Sequence, residues 1–508
     1  MPIVVPARAG DTAEVRFRPA PWHDDHPDRL DLDRRLPPDH LARRIAAAVD
    51  RLDLRPLRAA YGGTGSAPYA PALLLRAVLY EAHRGCHRPA QWHRDAHDSG
   101  PVRWLLRGCA PSRSAWYAFR DRLGPLLPGL HQQVLALALA AGLTPGTRGA
   151  QDGTAVAANA SRRRLVNADT LRQRAEHLAQ ARAADARGAP PPTRPAWMAA
   201  RPAGRRRQQR RLERAQERLD GLQARNRAKR AAKRQPPEKV VVSLSDPEAA
   251  LGRDKEGVYR PLYNVQVVDD LDSPFVLAYE VFAQPNDAGL LEPLLARLRA
   301  ALGRDLRVLL ADTAYAGGAD LAAAQAAGVT VLAPLPQEAK GGTYLPKGAF
   351  TWLPSAQTYV CPQGHRLVDE GATAQRRSGT EAVRLRCYRC PPAHCAGCPL
   401  QQRCTRNPQA GRTISRSEHE GLIEALRARM ATAEAKEVYR LRRQTVELVN
   451  ADWKEHRQLR RFSGRGLARA RGQVGLIVLA HNLVTLLAEE AKAKALKATV
   501  ANPLASAP

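Results

Sequence analysis

Three carboxylates far apart in the chain sit in contexts that suit metal-assisted chemistry. Asp152 opens Asp152-Gly153-Thr154 just after a polar break. Asp312 ends the apolar run Val308-Leu309-Leu310-Ala311, and Glu447 lies in Arg442-Arg443-Gln444-Thr445-Val446-Glu447, seven residues before Lys454. Two carboxylates at strand positions and one on a late helix can hold a pair of divalent cations, which activates water and clamps a phosphodiester. Oxygen donors without histidines suit Mg²⁺, with Mn²⁺ as a substitute. Each residue also has an ordinary explanation. Asp-Gly is a common turn, an Asp after a strand often caps the next turn, and a helical Glu often belongs to a surface ion-pair ladder.

The bulk charge says what such a site would act on. With 79 Lys and Arg against 49 Asp and Glu, the 508-residue chain carries a formal net charge of +30. That charge points to a polyanion, double-stranded DNA above all. The N-terminal residues lack the continuous apolar core of a signal peptide, and the best candidate span, residues 474–487, is short and interrupted by His481 and Asn482. A cytosolic protein with no membrane partner is expected.

The elements that must position these residues can be read from periodicity. The length suggests roughly two to four domains. Residues 1–35 read as a loose arm. Residues 36–145 read as an all-α domain, with helices over 41–54, 71–81, 90–98, 102–106 and 112–123. Gly108 and Pro111 give the last pair a helix-turn-helix-like spacing. A strand carrying Asp152 follows. Residues 161–239 form a basic helical insertion containing Arg205, Arg206, Arg207, Arg210 and Arg211, a density of like charge that favours nucleic-acid contact. Strands over 263–268 and 275–282, a helix over 289–302, a strand over 306–311, a helix over 319–327 and a strand over 329–333 make an α/β mixed sheet. Helices over 418–429, 432–454 and 467–497 close the core, leaving 491–508 as a flexible tail. A single helix from Tyr439 to Lys454 would align Tyr439, Arg443, Glu447, Asn450 and Lys454 on one face, able to bind metal and phosphates together.

Six of the eight cysteines lie between Cys361 and Cys404. Cys387-x2-Cys390 and Cys395-x2-Cys398 are paired knuckles, flanked by Cys361 and Cys404, with His365 nearby. In a reducing compartment this clustering argues for a structural Zn²⁺ rather than disulfides, closing a small insertion (341–412) that has no core of its own. Buried, inert thiols are the plainer alternative.

From about Tyr61 to Leu487 the chain resembles the DDE-type insertion-sequence transposases, which have a ribonuclease H-like catalytic core. The resemblance rests on YAPALLLRAVLYEAHRG and VRWLLRGCAPSRSAWYAFRDRL in the helical part. In the core it rests on DGTAVAANAS, LYNVQVVDD, QPND and VLLADTAYAGGADL, and at the end on the stretch from YRLRRQTVELVNADWKEH to LIVLAHNL. It implies a core of residues 146–340 and 413–490 interrupted by the two insertions. Asp152, Asp312 and Glu447 would be the metal-binding triad. Tyr439, Arg442 or Arg443, and Lys454 match the family's Tyr-Arg-Glu-Lys signature as DNA contacts. Cys361, Cys395, Cys398 and Cys404 match the usual zinc ligands, with Cys387, Cys390 and His365 as alternatives. Val449-Asn450 stands where an aromatic residue is usual, and Ala314 where a glycine usually precedes the tyrosine. The implied activity is metal-dependent cleavage and strand transfer at the terminal inverted repeats of its own element, by a homodimer in a synaptic complex on the nucleoid. Two other readings fit the same residues: an inactive DNA-binding relic or regulator, and a metal-dependent nuclease without strand transfer.

Overall fold

The segment Leu262 to Val268 is buried throughout, its two amides included, which requires a strand covered on both faces. In the computed structural model it forms the middle of a six-stranded mixed sheet. The structure describes residues 15–62, 66–229, 231–336, 344–376, 382–407 and 409–501. The sheet comprises β1 (Arg148–Ala157), β2 (Ala250–Arg253), β3 (Tyr259–Asp270), β4 (Val276–Phe282), β5 (Val308–Leu310) and β6 (Thr330–Leu332). The order is β2-β3-β1-β5-β6, with β4 also paired to β3. β1 runs antiparallel to β3, from Gly149 opposite Asp270 to Ala157 opposite Leu262. β5 and β6 are parallel to β1 and to each other.

The N-terminal helices Leu41–Val49, Pro71–His83, Pro89–Asp98, Gly100–Leu105, Arg113–Leu123 and Leu127–Ala140 do not form a separate core. Ile45, Leu75, Val78 and Trp116 belong to one apolar cluster with Leu476, Leu479 and Leu483, and with Val268 and Leu309 of the sheet. The basic segment forms a helical hairpin, Ala168–Ala186 packed on α1 (Pro202–Arg227), around Leu171, Leu178, Leu212, Ala215 and Leu219. On the opposite face of the sheet, Val265 and Val267 pack with Trp453 of α2 (Val446–Glu455) and with Val474 and Val478 of α3 (Leu467–Ala501). Helix α3 therefore touches both clusters and ties bundle to sheet.

Several expectations are corrected. The expected arm contains a helix at Pro27–Arg35, and its Trp22 is buried against Gly108; residues 1–14 lie outside the described residues. The helix expected over 41–54 stops at Val49, and a short helix, Arg55–Ala59, follows with Pro56 in its first turn. The expected helix over 432–454 is broken into Ala433–Arg440, a 3₁₀ turn Leu441–Gln444 and α2; Thr445 at φ −117°, ψ −96° is not helical. The expected tail continues α3 through Ala501, and residues 502–508 lie outside the description. The cysteine-rich insertion does have a small core, where the rings of Trp352, Tyr359 and Tyr388 meet at 4.9–5.6 Å between centroids. Two helical stretches, Arg113–Ala140 and Leu467–Lys497, are long and apolar enough to cross a membrane by length and composition. The first is interrupted at Gly124–Leu126, and the second is the apolar hub of the protein.

One polar contact fixes the hub to the sheet. Asn482, wholly buried in α3, accepts from the Val276 N–H at 3.0 Å and donates to the Val276 carbonyl at 2.8 Å. It thus satisfies backbone groups at the start of β4. The Val276 carbonyl also accepts from His131 Nε2 at 2.9 Å, so Asn482→Ala should leave the Val276 N–H unsatisfied and destabilise the fold by about 1–3 kcal/mol. Denaturant unfolding followed by circular dichroism checks this; an unchanged midpoint would show that the contact is dispensable.

Candidate active site at the parting of two strands

Pairing between β1 and β5 extends only to Ala150 opposite Leu310. Asp152 and Asp312 each lie two residues beyond that last pair, where the strands separate. A crevice at the carboxyl ends of parallel strands is where α/β folds place ligands. Asp152 has Val267 opposite it on β3. Asp312 accepts from the Ala314 N–H at 2.8 Å and so caps the turn Thr313–Tyr315, which fixes its carboxylate at the crevice.

The third carboxylate reaches the crevice because the late helix is broken. The 3₁₀ turn swings Arg442 inward, where it is only 9% exposed, while Arg443 is exposed. Arg442 Nη2 donates to Asp152 Oδ1 at 2.8 Å, and Nη1 donates to Glu447 Oε1 at 3.2 Å. Its Nε donates to the Gln151 carbonyl at 3.3 Å. From α2, Asn450 Nδ2 donates to Asp152 Oδ2 at 2.7 Å. Tyr439 donates its hydroxyl proton to the Ala311 carbonyl at 3.1 Å, beside Asp312. Lys454 is half-buried; burial and then Lys255 lower its pKa, and the charge of Asp152 opposes them. The arginine left open by spacing is therefore resolved geometrically: Arg442, not Arg443, meets the carboxylates, and the straight stripe through Arg443 does not form.

The electrostatics reflect crowding of negative charge. Burial raises the pKa of Asp312, the Ala314 N–H and Arg442 oppose this, and the like charges of Asp287 and Asp152 add to it. Asp269, two residues along β3 from Val267 and fully buried, has no hydrogen-bond partner on either oxygen; burial and then Asp152 push it well above the usual carboxylate range. The donor type suits a divalent cation, while the oxygens of Asp152, Asp312 and Glu447 do not all lie within 4.8 Å of one another. The donors are carboxylate oxygens, and among the described residues Asp312 Oδ2 and Glu447 Oε2 have no hydrogen-bond partner. Arg442 holds Asp152 and Glu447 in place but also competes for them.

Sequence reasoning passed over Asp287, Asn264 and Gln266. Asn264 Nδ2 and Gln266 Nε2 both donate to Asp287 Oδ1, at 2.6 and 2.7 Å. Their signal was the alternation in Leu262-Tyr263-Asn264-Val265-Gln266-Val267, which puts two amides on one face of an otherwise apolar strand.

The remaining expected residues are placed as follows. Arg206, Arg207, Arg210 and Arg211 are exposed on α1. Arg205 is not: it is 3% exposed, donates to Asp185 Oδ2 at 2.7 Å and to the carbonyls of Ala199 and Ala200, and so holds the hairpin together. Its guanidinium is not free for phosphate. Cys390 and Cys395 are buried in the small core, with Cys361 and Cys404 against it. Cys398 is half-buried, and burial raises the pKa of Cys404. Cys387 instead lies 3.7 Å from the Ser415 hydroxyl. The His365 ring stacks on His394 at 4.3 Å.

A folded-state pKa above the usual value means that protonation of Asp312 stabilises the fold. That stability is complete below about pH 3.8 and is lost as pH rises through the folded pKa. Asp312→Asn keeps the shape and the cap but removes the charge. In the presence of a chelator it should raise the melting temperature by roughly 1–3 °C at pH 7 and by nothing near pH 3. Equal melting of the two proteins at pH 7 would contradict the crowding described above.

Two family models match the chain. One, described as Transposase DDE domain, covers residues 360–487 and so includes Arg442, Glu447, Asn450 and Lys454. The other, Transposase domain (DUF772), covers residues 30–122, most of the helical bundle. No curated protein matches it. A DDE domain implies a ribonuclease H-like core and a nucleic-acid-cleaving enzyme, and the mixed sheet flanked by helices accords with that core. One transposase model over the bundle and another over the segment that carries Glu447 together support a DDE-type insertion-sequence transposase.

Proposed function

We propose that the protein cleaves and rejoins DNA strands at the terminal inverted repeats of its own element, with Asp152, Asp312 and Glu447 as one metal-binding site. The observation that carries this reading is the bridge from Asp152 through Arg442 to Glu447, which closes a distant helix onto the parting of β1 and β5. Two Mg²⁺ ions, or Mn²⁺ in their place, would there activate water or a DNA 3′-hydroxyl and stabilise the leaving oxygen. Asp152 would face both ions, with Asp312 and Glu447 each serving one. Arg442 orients Asp152 and Glu447, and Asn450 holds the second oxygen of Asp152. Lys454 and Tyr439 are set to hold the scissile strand beside the carboxylates.

The basic hairpin supplies phosphate contacts through Arg206, Arg207, Arg210 and Arg211, while Arg205 keeps its structural place. A structural Zn²⁺ would suit the thiols around Cys361, Cys395, Cys398 and Cys404, with Cys390 buried among them. Residues 161–239 and 341–412 are then insertions in a catalytic core of 146–340 and 413–490, and synapsis of two DNA ends calls for a homodimer.

Mg²⁺-dependent cleavage of DNA carrying the flanking repeats tests the reading. Asp152→Asn, Asp312→Asn and Glu447→Gln should each lower it by about 10²-fold or more, with binding to the ends retained. Cleavage without joining would leave a nuclease, and cleavage by all three variants at the normal rate would refute the site. Replacing Arg206, Arg207, Arg210 and Arg211 together by Gln should reduce the slope of log affinity against log salt by up to about 3–4. An unchanged slope would place the hairpin away from DNA.

A further inference from the structure

The edge of β1 that borders the crevice leads to a groove lined by arginines. β3 pairs with one edge of β1 from Gly149 to Ala157, while β5 leaves the other edge after Ala150. That vacated edge is taken up again at Ala157. Its N–H donates to the Arg460 carbonyl at 3.3 Å, and its carbonyl accepts from the Phe462 N–H at 2.9 Å. The loop between α2 and α3 therefore lies beside the far end of β1, on the same edge as the crevice.

That loop is basic and faces the hairpin. Arg461 donates to the Ala160 carbonyl at 3.2 Å and Arg465 to the Asn159 carbonyl at 3.1 Å, and both side chains are exposed. A cavity of ≈ 650 Å³ is lined by Arg465 and Arg469 on the core side and by Arg211, Arg214 and Arg218 of α1 on the other. It adjoins a cavity of ≈ 810 Å³ through Arg214, Arg465 and Arg469, and one of ≈ 530 Å³ through Arg211 and Ser245, so the groove is continuous.

The acids of the groove are mostly engaged elsewhere. Asp246 accepts from the Tyr263 hydroxyl at 2.8 Å and the Gly466 N–H at 3.1 Å, and Glu248 accepts from the Leu467 N–H at 2.6 Å. Asp121 pairs with Arg469 at 2.8 Å. Glu217 is exposed on α1. Among the described residues, Arg211, Arg214, Arg461 and Arg465 form no ion pair. A cleft lined by one sign of charge draws in a polyanion. One this narrow admits a sugar–phosphate backbone and not the whole width of a duplex.

We propose that one strand of duplex DNA passes from the cation crevice along the β1 edge, over Arg461, into the groove where Arg465 faces Arg211 and Arg214. The hairpin and the core then clamp its backbone between them. This rests on the DNA-cleaving reading given above and adds a register to it. Asp152 and Ala157 are five residues apart on β1, about 17 Å at about 3.3 Å per residue. At about 3.4 Å per base pair, and with the reach of the arginine side chains added, the clamped phosphates lie about five to eight base pairs from the cut.

Binding to the full-length protein in a chelator, where no strand is cut, tests the path. The probe is duplex DNA carrying one end of the element, trimmed stepwise from either side. Arg211→Gln with Arg214→Gln should weaken binding of the untrimmed duplex at least about tenfold and lower the slope of log affinity against log salt by about 2. The loss should vanish once the duplex is trimmed past the groove on one side, because a phosphate missing from the DNA leaves no contact to remove. Arg461→Gln with Arg465→Gln should show the same dependence on the same side. The trim at which the loss vanishes should lie about five to eight base pairs from the cut mapped with wild type and Mg²⁺; a boundary elsewhere overturns the path along β1. No loss, or a loss that persists at every length, overturns the groove even where wild type cleaves normally. A loss that vanishes on trimming, with a wild type that never cleaves, upholds the groove and refutes the cleavage reading. Wild type that does not bind the duplex overturns both. Circular dichroism establishes that each variant is folded; should the core pair fail to fold, the exposed hairpin pair alone decides.

Discussion

The guanidinium of Arg442 is the contact on which the site depends. It bonds to carboxylates that begin 295 residues apart along the chain, on the central strand and on a late helix. A buried arginine between two acids is a costly arrangement unless all its partners are in place, since removal of one leaves an uncompensated charge. Here the partners are complete: Asp152, Glu447 and the Gln151 carbonyl. The break at Thr445 follows from the same demand. A continuous helix would present Arg443 in place of Arg442, whereas the 3₁₀ turn swings Arg442 under Glu447 and onto β1.

That contact can form only because the sheet and α3 are fixed first. β3 pairs along the whole of β1 and holds Asp152 still, while the short β5 stops at Leu310 and leaves the crevice. The front face of β1 and β3 is covered by Trp453 of α2 and Phe462, and then by α3. The same α3 runs through the N-terminal bundle, so the bundle is part of the support of the core. By contrast, the basic hairpin and the cysteine-rich insertion each have their own small core.

Much of this was legible in the chain. The strand before Asp312 was readable because Val308 to Ala311 is an apolar run ended by a single acid, and the helices of the bundle because Pro and Gly mark their ends; Asp152 instead lies in the middle of β1. The position of Glu447 on a helix could be read, but not the break before it. Leu441 to Gln444 has good helix formers, and only tertiary attraction between Arg442 and the two carboxylates overrides their propensity. Arg205 was misjudged for a related reason. Within a run of arginines, charge alone cannot show that one side chain turns inward to Asp185. The contacts of Asp287 were missed because a loop Asp is ordinary, and the amides of Asn264 and Gln266 meet it only in the fold.

The central claim is that the three carboxylates form one cation site where β1 and β5 part. Its most direct test is anomalous scattering from crystals of the full-length protein soaked in Mn²⁺. The account predicts a pair of peaks about 4 Å apart between Asp152, Asp312 and Glu447. Strong peaks elsewhere, with none in this crevice at saturating Mn²⁺, would contradict it.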